Sequence, residues 1–166
     1  LTPADYLAPD WGTDADFGLE IANLGTDLTT GTAAVTFYMD ANANGTLETG
    51  TDLALTAVTP NTTRVPDTPT LPVDFSAYKL YSGSDIYGEY TITMPASGYT
   101  DGDYTIFASI DGTSVSDSDT SNNVSSFTIP IGSSTPTSAI DLNIREVFFP
   151  AFYNMDELAF GGSYSI

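Results

Sequence analysis

The sequence predicts an all-β fold, a Greek-key sandwich of two sheets and about seven or more strands, followed by the first strands of a second copy. Three observations carry this. Apolar residues recur with period two, and no stretch shows a helical stripe. Turn-forming Gly, Pro, Asn, Asp, Ser and Thr punctuate the chain at the short intervals of a sandwich. An opening pattern also occurs twice. Ala4-Asp5-Tyr6-Leu7 precedes Phe17-Gly18-Leu19-Glu20-Ile21-Ala22-Asn23, and Ile140-Asp141-Leu142-Asn143-Ile144 precedes Phe160-Gly161-Gly162-Ser163-Tyr164-Ser165-Ile166. The offset, roughly 136 to 143 residues, is about one sandwich domain, as in an array. The second copy stops as its second strand begins, with too few partners for a sheet of its own. The sequence therefore implies continuation into a longer polypeptide or pairing with another subunit.

The strands follow in order. Phe17, Leu19 and Ile21 alternate with small or polar residues up to the Asn23-Leu24-Gly25 turn. Val35, Phe37 and Met39 do the same within residues 33–40, and residues 53–58 form a shorter run. Tyr90, Ile92 and Met94 alternate before Pro95; Tyr104, Ile106, Ala108 and Ile110 alternate before an Asp111-Gly112 turn. Val124, Phe127, Ile129 and Ile131 close the set less regularly. The longest loop, residues 59–72, carries Pro60, Pro66, Pro69 and Pro72, which stiffen an edge crossing and block strand addition. Gly132-Ser133-Ser134-Thr135-Pro136-Thr137-Ser138 reads as a linker. The expected organisation is thus a sandwich over 1–131, a linker over 132–138, and over 139–166 a second start or a donated strand segment.

Composition narrows the function. The 166 residues are 41% hydrophobic and 12% aromatic, enough for one real core. There are 3 Lys+Arg against 22 Asp+Glu, a net charge of -19, and the basic residues are Arg64, Lys79 and Arg145. Such a surface repels nucleic acid and anionic membrane. The acidity serves solubility, with cation-bridged carboxylates as the sharper alternative. With no cysteine and no histidine, disulfides, thiolate nucleophiles, imidazole bases and the usual zinc or copper ligands are absent. A cysteine-free chain of this kind points to an extracellular bacterial or archaeal surface. Leu1 is not an initiator Met, so any signal peptide is expected to be already removed or to lie in a longer precursor. No apolar run approaches a membrane span.

Four stretches carry a resemblance. They are Ala4-Asp5-Tyr6 with Ile21-Ala22-Asn23-Leu24-Gly25; Ala34-Val35-Thr36-Phe37-Tyr38-Met39-Asp40; Gly102-Asp103-Tyr104-Thr105-Ile106 with Ala108-Ser109-Ile110-Asp111; and Ser118-Asp119-Thr120-Ser121-Asn122-Asn123. In that order they resemble the CARDB module, the bacterial cell-adhesion-related domain, over most of residues 1–131. Ile140-Asp141-Leu142 repeats its opening. The departure is residues 59–88, wider than the family pattern and able to place extra strands on one edge. The resemblance implies an Ig-like or fibronectin-III-like sandwich that works in tandem as scaffold or adhesin, not as an enzyme. Gly102-Asp103-Tyr104 also fits a tyrosine corner, in which a Tyr hydroxyl near a strand start bonds backbone across the sandwich; an ordinary strand Tyr fits equally.

One loop offers chemistry. Asp40-Ala41-Asn42-Ala43-Asn44-Gly45-Thr46-Leu47-Glu48-Thr49-Gly50-Thr51-Asp52 fits the first half of a D-x-[DN]-x-[DN]-G calcium loop. Calcium takes six to eight hard oxygens. Asp40, Asn42 and Asn44 side chains and the Thr46 carbonyl supply the first, Gly45 the reversal, and Glu48 or Asp52 the remainder. The bidentate Glu of an EF-hand is missing, since Thr51 stands there, and a polar hairpin loop is the competing reading. A second acidic group, Asp111, Asp117 and Asp119 with Asn122 and Asn123, is expected in one solvated turn. A glycosidase carboxylate pair has no support in spacing. The sequons at Asn44, Asn61 and Asn123 are weak signals in so Asn-, Thr- and Ser-rich a chain. Trp11 and surface Tyr residues offer a carbohydrate face, although strand aromatics are more often core.

Three function classes follow. The first is a calcium-stiffened extracellular structural or adhesive module whose partners are neighbouring copies, with a cell-surface glycan or protein as a further partner. The second is a subunit of an extracellular filament or pilus, in which the C-terminal segment completes a neighbour's sandwich. In both, Ile140, Leu142, Ile144, Val147, Phe148 and Phe149 form the interlocking apolar segment. The third is a carbohydrate-binding module.

Overall fold

The computed structural model describes residues 2–3, 9–117 and 119–132, with backbone alone at 2–3 and 111–113. The chain divides into two units, Leu1–Ser134 and Thr135–Ile166, and every described residue belongs to the first. Residues 4–8, Ser118, the linker beyond Gly132 and the 139–166 segment lie outside the described residues, and with them Ile140, Leu142, Ile144, Val147, Phe148 and Phe149.

Alternating apolar residues build nearly every element. The strands are β1 (Thr2–Pro3), β2 (Asp14–Ala22), β3 (Thr32–Met39), β4 (Leu53–Leu55), β5 (Val58–Pro60), β6 (Val73–Asp74), β7 (Asp85–Thr93), β8 (Gly102–Thr113) and β9 (Val124–Ile131). One sheet runs β1-β2-β7-β5 and the other β4-β3-β8-β9, with β6 also pairing β3. All these pairings are antiparallel. Setting aside β6, lettering the remaining strands in chain order gives ABED facing C′CFG, the immunoglobulin arrangement. The predicted all-β sandwich is therefore the fold of the described residues.

Three expectations are corrected in detail. Residues 53–58 are not one strand: β4 pairs β3 and β5 pairs β7, so the chain changes sheets at residues 56–57. Asp111-Gly112 is not a turn but a bulge inside β8, because Val35 pairs with Ile110 and Ala34 with Gly112. The extra residue lets β8 bend and continue to Thr113. Asp111 therefore does not share a turn with Asp117 and Asp119.

The core lies between the sheets. Phe17, Leu19 and Ile21 of β2 and Tyr90 and Ile92 of β7 face Phe37 and Met39 of β3, Ile106 and Ala108 of β8, and Ile129 and Ile131 of β9. Phe37 and Tyr90 approach across the interface at 6.0 Å between ring centroids. Each fully buried large side chain stabilises the fold by about 1.5–3 kcal/mol. The wide 59–88 stretch adds β6 to the β3 edge and closes the β7 edge. There β5 ends at Pro60, and the Glu89 N–H donates to Thr68 Oγ1 (3.1 Å) instead of to a strand.

The register defines two ends. Asp14 of β2, Thr93 of β7, Gly102 of β8 and Ile131 of β9 lie together at one. Ala22, Asp85 and Val124 lie toward the other. The chain reaches Gly132 at the Asp14 end, where the Gly132 N–H donates to the Pro9 carbonyl (2.9 Å).

Candidate functional site

The six predicted calcium-loop residues lie between β3 and β4, at the Asp14 end. Asp40 follows β3 directly and is anchored by its own N–H donating to the Thr105 carbonyl of β8 (2.9 Å). Positive φ at Ala43 (56°) and Gly45 (72°) then curls the chain around the Asp40 carboxylate. That carboxylate accepts from the N–H of Asn44 (3.3 Å) and Gly45 (2.8 Å). Asp52, arriving just before β4, accepts from the N–H of Ala41 (3.2 Å) and Glu48 (2.7 Å). Asn42 Oδ1 accepts from Asn44 N (3.1 Å), and Asn44 Oδ1 from Thr46 N (2.8 Å). The amide Nδ2 atoms of Asn42 and Asn44 both donate to Glu48 Oε2, at 2.7 and 2.9 Å. All six predicted residues thus share one bonded loop, Thr46 joining through its N–H.

The electrostatics of this loop are unusual for a hairpin. Asp40 and Asp52 are only 2% and 7% exposed. Among the described residues no ion pair reaches them or Glu48; Arg64 pairs instead with Glu89 (3.1 Å) and Asp16 (4.0 Å). Among the described residues peptide N–H groups are the donors to these two buried carboxylates, and burial of an unpaired charge is costly. The donors are all hard oxygens, which suits calcium and not the thiol- or imidazole-seeking metals. Among the described residues no three acidic side chains converge as a metal-holding group. Asp40, Glu48 and Asp52 share the loop without converging on one point, so a cation here would rest on fewer than three of them together with amide and peptide oxygens.

The same end carries an aromatic group. Trp11 stacks on Tyr99 (5.5 Å, 20° between planes) and meets Tyr104 edge-on (5.2 Å, 85°). Trp11 Nε1–H donates to Asp101 Oδ1 (3.0 Å). Asp101 also lies against Gly132, whose φ of 101° and lack of a Cβ let the chain pass that carboxylate. Tyr104 OH donates to the Thr100 carbonyl (2.7 Å), four residues upstream. This is a tyrosine corner, made within the β7–β8 connection rather than across the sandwich.

At the Ala22 end, Asp119 caps the short 3-10 turn Thr120–Asn122, accepting from Ser121 N (3.1 Å) and Ser121 Oγ. The Ser121 hydroxyl bond, then the peptide bond, lower its pKa. Asp117 in turn accepts from Asp119 N (3.0 Å), so this acidic group is a backbone-capping one.

Sequence reasoning missed two polar clusters. Asn23 is buried and pins the turn after β2, donating to the carbonyls of Thr26 (2.7 Å) and Leu80 (3.0 Å) and accepting from Gly25 N (2.9 Å). Glu89, also buried, holds Arg64 and accepts from Tyr87 OH (3.2 Å). The turn at Asn23 is legible, but its bond to the Leu80 carbonyl and the pairing of Glu89 with Arg64 join distant parts of the chain, which no local pattern announces. The Tyr87 hydroxyl has a raised pKa, chiefly through burial and then through Glu89.

Two clefts open at the Ala22 end. One, of about 250 Å³, runs between β2 and β8–β9, and its neighbour, of about 260 Å³, reaches Phe75 and Leu80. Both are smaller than usual small-molecule sites. No helix among the described residues is long and apolar enough to cross a membrane. Comparisons with known protein families, curated proteins and solved structures return no match.

Proposed function

We propose that the chain is a non-enzymatic structural module of an extracellular bacterial or archaeal surface, a CARDB-like adhesive repeat whose neighbours are further copies and whose β3–β4 loop is stiffened by calcium. The observation that carries this reading is the placement of the buried polar side chains. Asn23, Asp40, Asp52 and Thr68 bond to backbone at turns and edges, and Glu89 holds Arg64 beside the 59–72 connection. Polar groups so placed maintain a scaffold. The described parts of the CARDB-like stretches fall on β2 and the turn after it, β3, β8 and the turn before β9.

Calcium enters through charge. Three carboxylates share one loop with no basic partner among the described residues, and that loop stands at the end where the chain reaches Gly132. A cation there would rigidify the joint to a following segment. Calcium at about a hundredfold excess over its Kd adds about 2.7 kcal/mol, a rise in Tm of about 5–10 °C for a domain of this size. Asp40→Ala should abolish the rise. A thermal titration with no calcium-dependent shift would remove calcium from the proposal.

The filament reading is favoured by a separate observation. Beyond β1, which covers Phe17 and Gly18, the edge of β2 at residues 19–22 has no strand neighbour among the described residues. An open edge beside an apolar cleft is what strand donation requires. The carbohydrate-binding reading has less support, because Trp11 is already covered by Tyr99 on one face. Glycan-array binding that is lost in Trp11→Ala would restore it.

A further inference from the structure

We infer that the cleft along the upper half of β2 receives residues 140–144 of a second copy, making a head-to-tail filament; this rests on the strand-donation reading above. The cleft is lined by Leu19, Ile21, Leu24, Val35, Ala108 and Ile110. Leu24, at its lip, is 83% exposed. The other long edge of this sheet is closed by Pro60 and Thr68, so among the described residues one edge is protected and the opposite one has no strand neighbour at residues 19–22.

The occupant follows from pattern, charge and reach. Ile140, Leu142 and Ile144 alternate with Asp141, Asn143 and Arg145, the pattern of a strand with one apolar face. An antiparallel strand pairing Leu142 with Ile21 and Ile144 with Leu19 directs all three apolar side chains into the cleft, Ile140 beside Leu24. It then ends where Thr2 and Pro3 already pair with Gly18 and Phe17, continuing the line of β1. Asn143 lies opposite the exposed Glu20, and Arg145, the first residue past the segment because Thr2 holds the place opposite Gly18, carries a side chain long enough to reach Glu20. Arg145 is one of 3 basic residues in a chain of net charge -19, which gives its position weight.

Reach selects a second copy. The segment must come in at the Ala22 end to run antiparallel to β2, whereas its own chain reaches Gly132 at the Asp14 end. From Gly132 to Ile140 the chain takes eight steps, at most about 26–29 Å when fully extended. From the level of Asp14 to that of Asn23, opposite Ile140, is about 30 Å along β2 before any turn is made. Donor and acceptor therefore sit at opposite ends, a heterologous head-to-tail contact, which builds a filament wherever its rotation does not close into a ring.

The test uses the full chain, whose lack of cysteine makes engineered thiols unambiguous. Copies carrying Glu20→Cys are mixed with copies carrying Asn143→Cys and oxidised or treated with a short thiol cross-linker. The expected product is a 20–143 linked heterodimer, and a ladder from the double variant. Thr59→Cys with Asn143→Cys, at the protected edge, should give at least tenfold less. Leu142→Asp, outside the described sandwich, should reduce the ladder at least tenfold while leaving Tm within a few degrees. A double variant linked only within one chain overturns the inference. Oligomers that form without any 20–143 link overturn this acceptor site and leave strand donation standing. A chain that stays monomeric and unlinked overturns both.

Discussion

Tyr90 sits where the two sheets meet the 59–72 connection, with its ring 1% exposed and its hydroxyl donating to the Pro69 carbonyl (3.0 Å). Burial, and secondarily the charge of Tyr78, raises its pKa well above the ordinary 10.0. The sign is fixed by linkage. The folded chain holds this proton more tightly than the unfolded chain, so the full contribution to stability is present below about pH 10 and is lost as pH rises through the folded value. Tyr90→Phe should therefore cost about 1 kcal/mol at pH 7 and flatten the alkaline decline. Urea unfolding at pH 7 and pH 11 checks both, and an unchanged alkaline slope would assign the decline elsewhere. Tyr104 was legible as a corner candidate because glycine, acid and Tyr open a strand together. Tyr90 was not, since the partner carbonyl depends on how a proline loop packs.

Each strand of three or more residues was legible where its apolar residues alternate, because one face packs against the opposite sheet and the other meets water. The signal failed where that asymmetry fails. Tyr38 and Phe107 pair across β3 and β8 with the opposite phase to Met39 and Ile106, yet both are buried, which blunts the alternation. Residues 53–58 read as one strand because a change of sheet leaves no mark on hydrophobicity, and the bulge at Asp111 looked like a turn because Asp-Gly favours both. The β3–β4 loop was legible in composition but not in its internal bonding. Asp52, nominated as an optional ligand, accepts the N–H groups of Ala41 and Glu48 and so closes the loop without metal. Asp52→Ala leaves two donors unsatisfied and should cost about 2–4 kcal/mol with chelator present. Asp52→Asn, which keeps an acceptor, should cost roughly half as much. Equal urea midpoints for Asp52→Ala and the parent would mean that the loop contributes nothing to the sandwich without a cation.

At the scale of the described sandwich, acidic groups stand at both ends, Asp40, Glu48, Asp52 and Asp101 at one, and Glu20, Asp117 and Asp119 at the other. A head-to-tail contact brings these ends together, so net charge opposes the assembly that the open edge favours. The repulsion is screened by salt, since the Debye length falls from about 30 Å at 0.01 M to about 8 Å at 0.15 M. Association should therefore strengthen with sodium chloride over that range, contrary to a contact held mainly by opposite charges, which salt weakens. Calcium chloride at equal ionic strength should act further only through sites on the protein. Light scattering of the full chain in the two salts separates these effects. Equal scattering would leave screening as the whole effect, whereas an excess with calcium that disappears in Asp40→Ala would place the cation at the β3–β4 loop. That loop stands at the same end as Gly132, so in the proposed assembly screening and binding would act at one end of the sandwich by different routes.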